Sequence, residues 1–144
     1  MTRPGANTEI WHASAVALNG QSALILGASG SGKSSLALQL MALGAQLVAD
    51  DRTCLTSFDG VLTASAPAAI SGQIEARGVG ILAAETCRQA PVKLVIDLDS
   101  TETERLPPHR TKDILGVALP LVLNTPGPHF PAAVLLYLRG GRCA

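Results

Sequence analysis

Gly27-Ala28-Ser29-Gly30-Ser31-Gly32-Lys33-Ser34 matches the pattern GxxxxGK[ST]. An apolar run, Ser22 to Leu26, precedes it, and a helix-forming run, Lys33 to Leu43, follows. Glycines let the backbone curl so that successive N–H groups point at one phosphate. A helix opening at Lys33 adds the positive end of its dipole. Lys33 sets a charge between the β- and γ-phosphates of a nucleotide, and the Ser34 hydroxyl suits Mg²⁺. A glycine-rich turn that binds nothing is the bland alternative, and the correct flanks on both sides argue against it. The motif specifies phosphate binding and leaves the reaction open.

A phosphate loop needs a carboxylate near the metal or the attacking group. Asp50-Asp51 follows the apolar run Leu47-Val48-Ala49, and Asp50 stands 17 residues after Lys33. In a parallel strand beside the loop strand, that end faces the phosphates. One carboxylate can take a proton from an acceptor hydroxyl while the other orients metal or water. A solvated turn pair is the competing reading. Glu75, Arg77, Gly78 and Gly80 combine charge with flexible backbone, as metal and phosphate handling requires; an ordinary surface turn has the same composition. His12 lies on a strand just ahead of the loop strand, where an imidazole can donate a hydrogen bond. Arg105, in a polar stretch, can grip phosphate bidentately. Taken singly, His12 and Arg105 have equally ordinary structural explanations.

The elements that must position these groups read as follows. Residues 1–8 form a loose tail. Ile10 to Leu18 is a strand, Asn19-Gly20 a hairpin turn and Ser22 to Leu26 a buried strand. Gly44 ends the helix begun at Lys33. Gln46 to Ala49 is a strand. Thr53 to Phe58 and Val61 to Ser65 form a hairpin around Asp59-Gly60. Pro67 to Ser71 is a loop, and Gly72 to Ala83 is mixed in character. Val92 to Leu98 is a strand, residues 99–113 a loop or sheet edge, and Ile114 to Leu123 includes a short strand. Asn124 to Pro131 is rich in Pro and Gly, and Ala132 to Leu138 fits helix or strand. No repeat or low-complexity linker is visible. The fold class is α/β: one P-loop NTPase-like domain over residues 1–144, with a mixed sheet and hairpins beside the phosphate loop.

Composition bounds the function. The chain has 144 residues, 47% hydrophobic and 15% charged, which excludes a disordered chain and allows one core. Its 11 basic and 11 acidic residues balance, so nothing draws it to nucleic acid or an acidic membrane. Aromatics are only 3%, too few for a base-stacking surface. Cys54, Cys87 and Cys143 are odd in number and widely spaced, which fits reduced thiols rather than a disulfide framework or zinc site. No signal-like or membrane-spanning segment is visible, so the protein is expected to be soluble and cytoplasmic.

Together the motifs resemble the catalytic domain of the HPr kinase/phosphorylase family, from about His12 to Gly127. GASGSGKSSLAL, LVADDR at Leu47 to Arg52, and IEARGVGIL at Ile74 to Leu82 occur in the family's order. The ExRGxGI stretch is the more discriminating signature. The resemblance implies a bifunctional enzyme that uses ATP and Mg²⁺ to phosphorylate a serine on HPr, a small bacterial phosphocarrier. It also implies phosphorolysis, with inorganic phosphate attacking phosphoserine and pyrophosphate as product. By this resemblance Gly27, Ala28, Ser29, Gly30, Ser31, Gly32, Lys33 and Ser34 bind the nucleotide phosphates. Ser34 and Glu75 look like the magnesium ligands. Asp51, with Asp50 beside it, is similar to the general base, which of the two being open. His12, Lys33 and Arg105 match the other catalytic positions.

Three departures modify that expectation. The family commonly carries a further N-terminal domain, so this chain resembles a short form consisting of the catalytic domain. Pro126-Gly127-Pro128-His129 stands where the family has Pro-Gly-Arg-Asn, a motif linked to dephosphorylation. The C-terminal helices that dock HPr and neighbouring subunits are expected to be shortened, which weakens the expectation of a hexamer. A nucleotide-binding regulatory module without turnover and a small-metabolite kinase remain as alternatives. The second needs an arginine-rich lid, and residues 84–91 and 99–113 hold only Arg88, Arg105 and Arg110.

Overall fold

Two adjacent strands with no charged residue set the architecture, β2 (Ala13–Leu18) and β3 (Gln21–Leu26). Both are buried on both faces, so successive side chains supply two separate cores. Asn19 and Gly20 join them with φ of 53° and 76°, the doubly left-handed turn that matches strand twist. This computed structural model describes residues 5–68 and 72–144. The first four residues of the expected tail and residues 69–71 of the expected loop lie outside the described residues.

The main sheet has nine strands. Its path runs β1 (Asn7–Trp11), β5 (Thr53–Phe58), β6 (Val61–Ser65), β9 (Gln89–Thr101), β3, β2 and β4 (Gln46–Ala49). The hairpin β10 (Arg110–Ile114) and β11 (Val117–Asn124) joins through β11, parallel to β9. The long β9 pairs antiparallel with β6 at its start and parallel with β3 further on. The sheet curls there. On one face Val16, Ile25, Leu94 and Ile96 pack against helices α1 (Lys33–Ala42) and α2 (Phe130–Gly140). On the other, Leu24, Val48 and Val95 pack against Leu55 and Leu62 of β5 and β6. A separate hairpin, β7 (Gln73–Ala76) and β8 (Gly80–Ala83), forms its own two-stranded sheet.

Several expectations are corrected. The span Ile10 to Leu18 is two strands broken at His12: β1 pairs with β5, whereas β2 pairs with β3 and β4. Asn7 and Thr8 therefore belong to a strand rather than a tail. β4 runs in the same direction as β3 but is not beside it, because β2 pairs with both and lies between them. Residues 99–101 close β9, and β10 begins at Arg110, so the polar connection is confined to 102–109. The ambiguous stretch at Ala132 to Leu138 is helical, with Pro131 in the first turn, where its missing N–H costs nothing. Among the described residues no helix is long and apolar enough to cross a membrane.

Candidate active site

The phosphate loop leaves the end of β3 through Gly27. A Cβ at Gly27 would fall 2.3 Å from Ser31 Oγ and 3.0 Å from Ser31 Cβ, so a larger residue there would force Ser31 to shift. The Ser31 N–H donates to Ala28 O at 3.0 Å, and Gly30 and Gly32 take φ of 81° and 104°. Gly32 precedes α1 without a side-chain cap, so the amides of the first turn keep their capacity for an anion. Lys33 is buried, and its Nζ donates to Gly27 O at 2.8 Å and Ala28 O at 3.1 Å. The ammonium is thus fixed over the loop it serves. Asp99, near the end of β9, accepts the Ala28 N–H through both oxygens, at 3.1 and 3.0 Å.

The acidic pair stands at the end of β4. Asp50 Oδ1 accepts from Ser34 Oγ at 2.6 Å and from Ser14 Oγ at 3.0 Å. Asp50 Oδ2 accepts the Glu75 N–H at 3.3 Å, which anchors the β7–β8 hairpin to the site. Asp51 takes φ of 65°, and the Arg52 N–H closes a tight turn onto Asp50 O at 2.7 Å. For a non-glycine residue that conformation costs roughly 1–3 kcal/mol. It is held by two bonds to β2: the Asp51 N–H donates to Ser14 Oγ at 3.0 Å, and the Ala13 N–H donates to Asp51 O at 3.1 Å. The turn leaves the Asp51 carboxylate beside His12, with Oδ1 2.5 Å from Nε2. Both side chains reach solvent, at 49% and 61% exposure.

The fold therefore brings His12, Ser34, Asp50 and Asp51 into one hydrogen-bonded chain, with Glu75 attached through its backbone. Glu75 also lines an open cleft of about 210 Å³ with Asp50, Asp51, Arg52 and Ile81. Arg105 is not part of this group. It lies exposed between β9 and β10 and makes no hydrogen bond or ion pair with the others. Its loop is clamped from two sides instead. Glu102 binds Arg110 bidentately at 3.0 and 3.0 Å, and Arg142 donates to Pro107 O at 2.8 Å. The Arg110 guanidinium holds the Glu102 carboxyl below the usual glutamate range, and Glu102 in turn raises Arg110.

Ser14 is the site residue that sequence reasoning missed. Its hydroxyl is fully buried, donates to Asp50 and accepts from Asp51. The available signal was a lone serine inside the small apolar run Ala13 to Leu18, since a buried hydroxyl needs a partner. Asp99 was likewise passed over in a stretch expected to be a loop or sheet edge.

The donor set can be tested against Mg²⁺. Ser34 and Asp50 present hard oxygens 2.6 Å apart, with Glu75 on the same cleft. Among the described residues no cluster of three His, Cys, Asp or Glu could hold a metal unaided. A sparse oxygen set fits Mg²⁺, which keeps waters and takes its other ligands from substrate phosphates.

Residues 5–123 match the profile of the HPr Serine kinase C-terminal domain. The HPr kinase/phosphorylase of Clostridium novyi (strain NT) is 37% identical over 113 residues, 74% of this chain and 35% of that protein. The HPr kinase/phosphorylase of Aromatoleum aromaticum is 39% identical over 112 residues, 68% of this chain and 36% of that protein. The chain thus spans about a third of the length of these curated relatives. The solved structure of the Hpr(Ser) kinase/phosphatase from Coxiella burnetii superposes with a TM-score of 0.75 at 30% identity, covering 91% of this chain and 94% of that one.

Proposed function

We propose that this chain, which belongs to the HPr Serine kinase C-terminal domain family, is an ATP- and Mg²⁺-dependent protein-serine kinase acting on HPr or a related phosphocarrier. One observation carries the reading: the unbroken hydrogen-bond chain Ser34–Asp50–Ser14–Asp51–His12 from the phosphate loop to an exposed carboxylate. A regulatory module that only sensed nucleotide would have no use for its outer half.

In this reading the loop amides from Gly27 to Ser34 and the Lys33 ammonium hold the nucleotide phosphates. Ser34, Asp50 and Glu75 would hold Mg²⁺, whose charge offsets that developing on the β- and γ-oxygens. Asp51 accepts the proton of the acceptor serine as its oxygen bonds to the γ-phosphorus and the bond to the ADP oxygen breaks. His12 fixes the Asp51 carboxylate for that transfer. Asp50, committed to Ser34 and Ser14, is the less free of the two carboxylates, so the base is Asp51. In reverse, inorganic phosphate attacks the phosphoserine phosphorus, protonated Asp51 returns its proton to the leaving serine oxygen, and pyrophosphate forms. Pro126 to His129 offers no guanidinium for that phosphate, so phosphorolysis has less support here than the kinase reaction. Arg105 enters through its sequence match alone. The reading includes a single catalytic domain over 1–144, a cytoplasmic setting, no nucleic-acid or membrane partner, and a family-type homo-oligomer.

The test is transfer from γ-labelled ATP to purified HPr from the same source, followed by addition of inorganic phosphate. Label on a serine supports the kinase; its release as pyrophosphate would show that reversal survives the altered motif. ATP binding with no labelled acceptor would move the reading to a regulatory module.

A further inference from the structure

Lys33 is buried, yet it belongs to neither ion pair of the described residues. A buried ammonium needs compensation, and here its direct contacts are two carbonyls, Gly27 O and Ala28 O. The first of these belongs to the same peptide unit as the Ala28 N–H, which donates to both oxygens of Asp99. In a planar trans peptide the N–H and C=O point opposite ways. One peptide unit is thus gripped from both sides, by a carboxylate at its N–H and by an ammonium at its oxygen. The backbone around Asp99 is shaped for that contact. Leu123 of β11 pairs with Asp97 and Asn124 with Thr101, so residues 98–100 of β9 have no counterpart and the strand bulges. Asp99 is the middle residue of the bulge, and its N–H is tied to Asp97 Oδ1 at 2.9 Å. Bulges re-aim side chains beside active sites. Gly27 permits the close approach: a Cβ there would meet Leu98 Cβ at 3.3 Å.

We propose that Asp99 is a positioning residue for phosphoryl transfer: through the Gly27–Ala28 peptide, its charge holds the Lys33 ammonium against the phosphate being transferred. The inference rests on the kinase reading above. An ammonium has three N–H donors. With two fixed on carbonyls, the third is left for a phosphate oxygen in one direction. A carboxylate on the far side of the peptide polarises it and strengthens the carbonyl as an acceptor. A structural anchor would not need this charge. A neutral acceptor also satisfies an N–H, and a carboxylate beside a phosphate loop repels the polyphosphate that must bind there. The charge therefore opposes binding and serves the step that follows. That combination separates Asp99 from the loop groups that hold the nucleotide, whose loss would weaken binding itself.

The experiment measures phosphotransfer from ATP to HPr, ATP affinity and thermal unfolding for the full chain and three variants. Asp99→Ala removes the acceptor, Asp99→Asn keeps an acceptor without charge, and Asp99→Glu keeps both. Asp99 is exposed, so all three are expected to fold. In Asp99→Ala and Asp99→Asn kcat is expected to fall roughly ten- to a hundredfold, the scale of losing a charged hydrogen bond, while ATP affinity holds or rises. Asp99→Glu is expected to recover most of kcat. Full kcat in Asp99→Ala or Asp99→Asn overturns the proposal. Parallel losses of kcat and ATP affinity also overturn it, because Asp99 would then only shape the loop. An unaltered chain that binds ATP and transfers nothing to HPr overturns the kinase reading instead, and the role of Asp99 falls with it.

Discussion

Ser34 Oγ donates to Asp50 Oδ1 over 2.6 Å, joining the first turn of α1 to the end of β4 across the intervening strand β2. In the proposed reading these two oxygens would share one Mg²⁺. Asp50→Asn is therefore expected to weaken Mg²⁺-dependent ATP binding by roughly ten- to a hundredfold, the range for losing a charged hydrogen-bond acceptor. Binding measured with and without Mg²⁺ checks this. A variant whose metal dependence matches the wild type would remove Asp50 from the metal site.

Asp51 differs from its neighbour in having its carboxylate exposed and engaged by His12 alone. Asp51→Asn is expected to bind ATP normally and to lose phosphotransfer by roughly 10²- to 10⁴-fold, the usual weight of a general base. Single-turnover transfer to HPr, with ATP binding measured in parallel, separates the two effects. Full activity in Asp51→Asn would sink the assignment.

What could be read from the sequence follows the range of the interactions. The phosphate loop, α1 and the turns at Asn19-Gly20 and Asp59-Gly60 obey local rules of glycine, positive φ and spacing, and they stand where expected. The insertion of β2 between β3 and β4 does not, because strand order is settled by pairing between distant segments. The break at His12 was hidden inside a continuous run of small and apolar residues. The β7–β8 hairpin was obscured for another reason: β8 is exposed along its whole length, so it lacks the alternation that marks a half-buried strand. Placement of Asp50 and Asp51 at a strand end was legible; the serine that arranges them was not, because its partners lie more than thirty-five residues away.

Ser14 is a positioning residue in consequence. Its hydroxyl holds the Asp50 carboxylate and the strained turn at Asp51 simultaneously. Ser14→Ala removes a hydroxyl bonded to both aspartates in part-buried surroundings, which costs about 1 kcal/mol of stability. Catalysis should fall as well, through kcat for transfer, with little change in KM for ATP. Ser14→Thr, which restores the hydroxyl, is expected to recover most of kcat. Loss of stability with kcat intact would make Ser14 merely structural.

The clamp on the Arg105 loop makes a prediction about pH. Glu102 is held by Arg110 and also accepts the Thr103 and Glu104 N–H groups at 3.1 and 3.2 Å. Its carboxyl is lowered in the folded protein, chiefly by the Arg110 hydrogen bonds, from the model-peptide value of 4.5. In the window below 4.5 the unfolded chain binds the proton more readily than the folded one, so stability rises with pH. The contribution is complete above the unfolded value and is lost as pH falls through the folded one. Glu102→Gln should therefore unfold at lower urea than wild type at pH 7, with the gap closing as the pH drops below 4.5. Arg110 is one-third exposed, so solvent screens the pair and the gap at pH 7 is modest. A gap that stayed constant from neutral to acid pH would show that Glu102 acts through packing rather than charge.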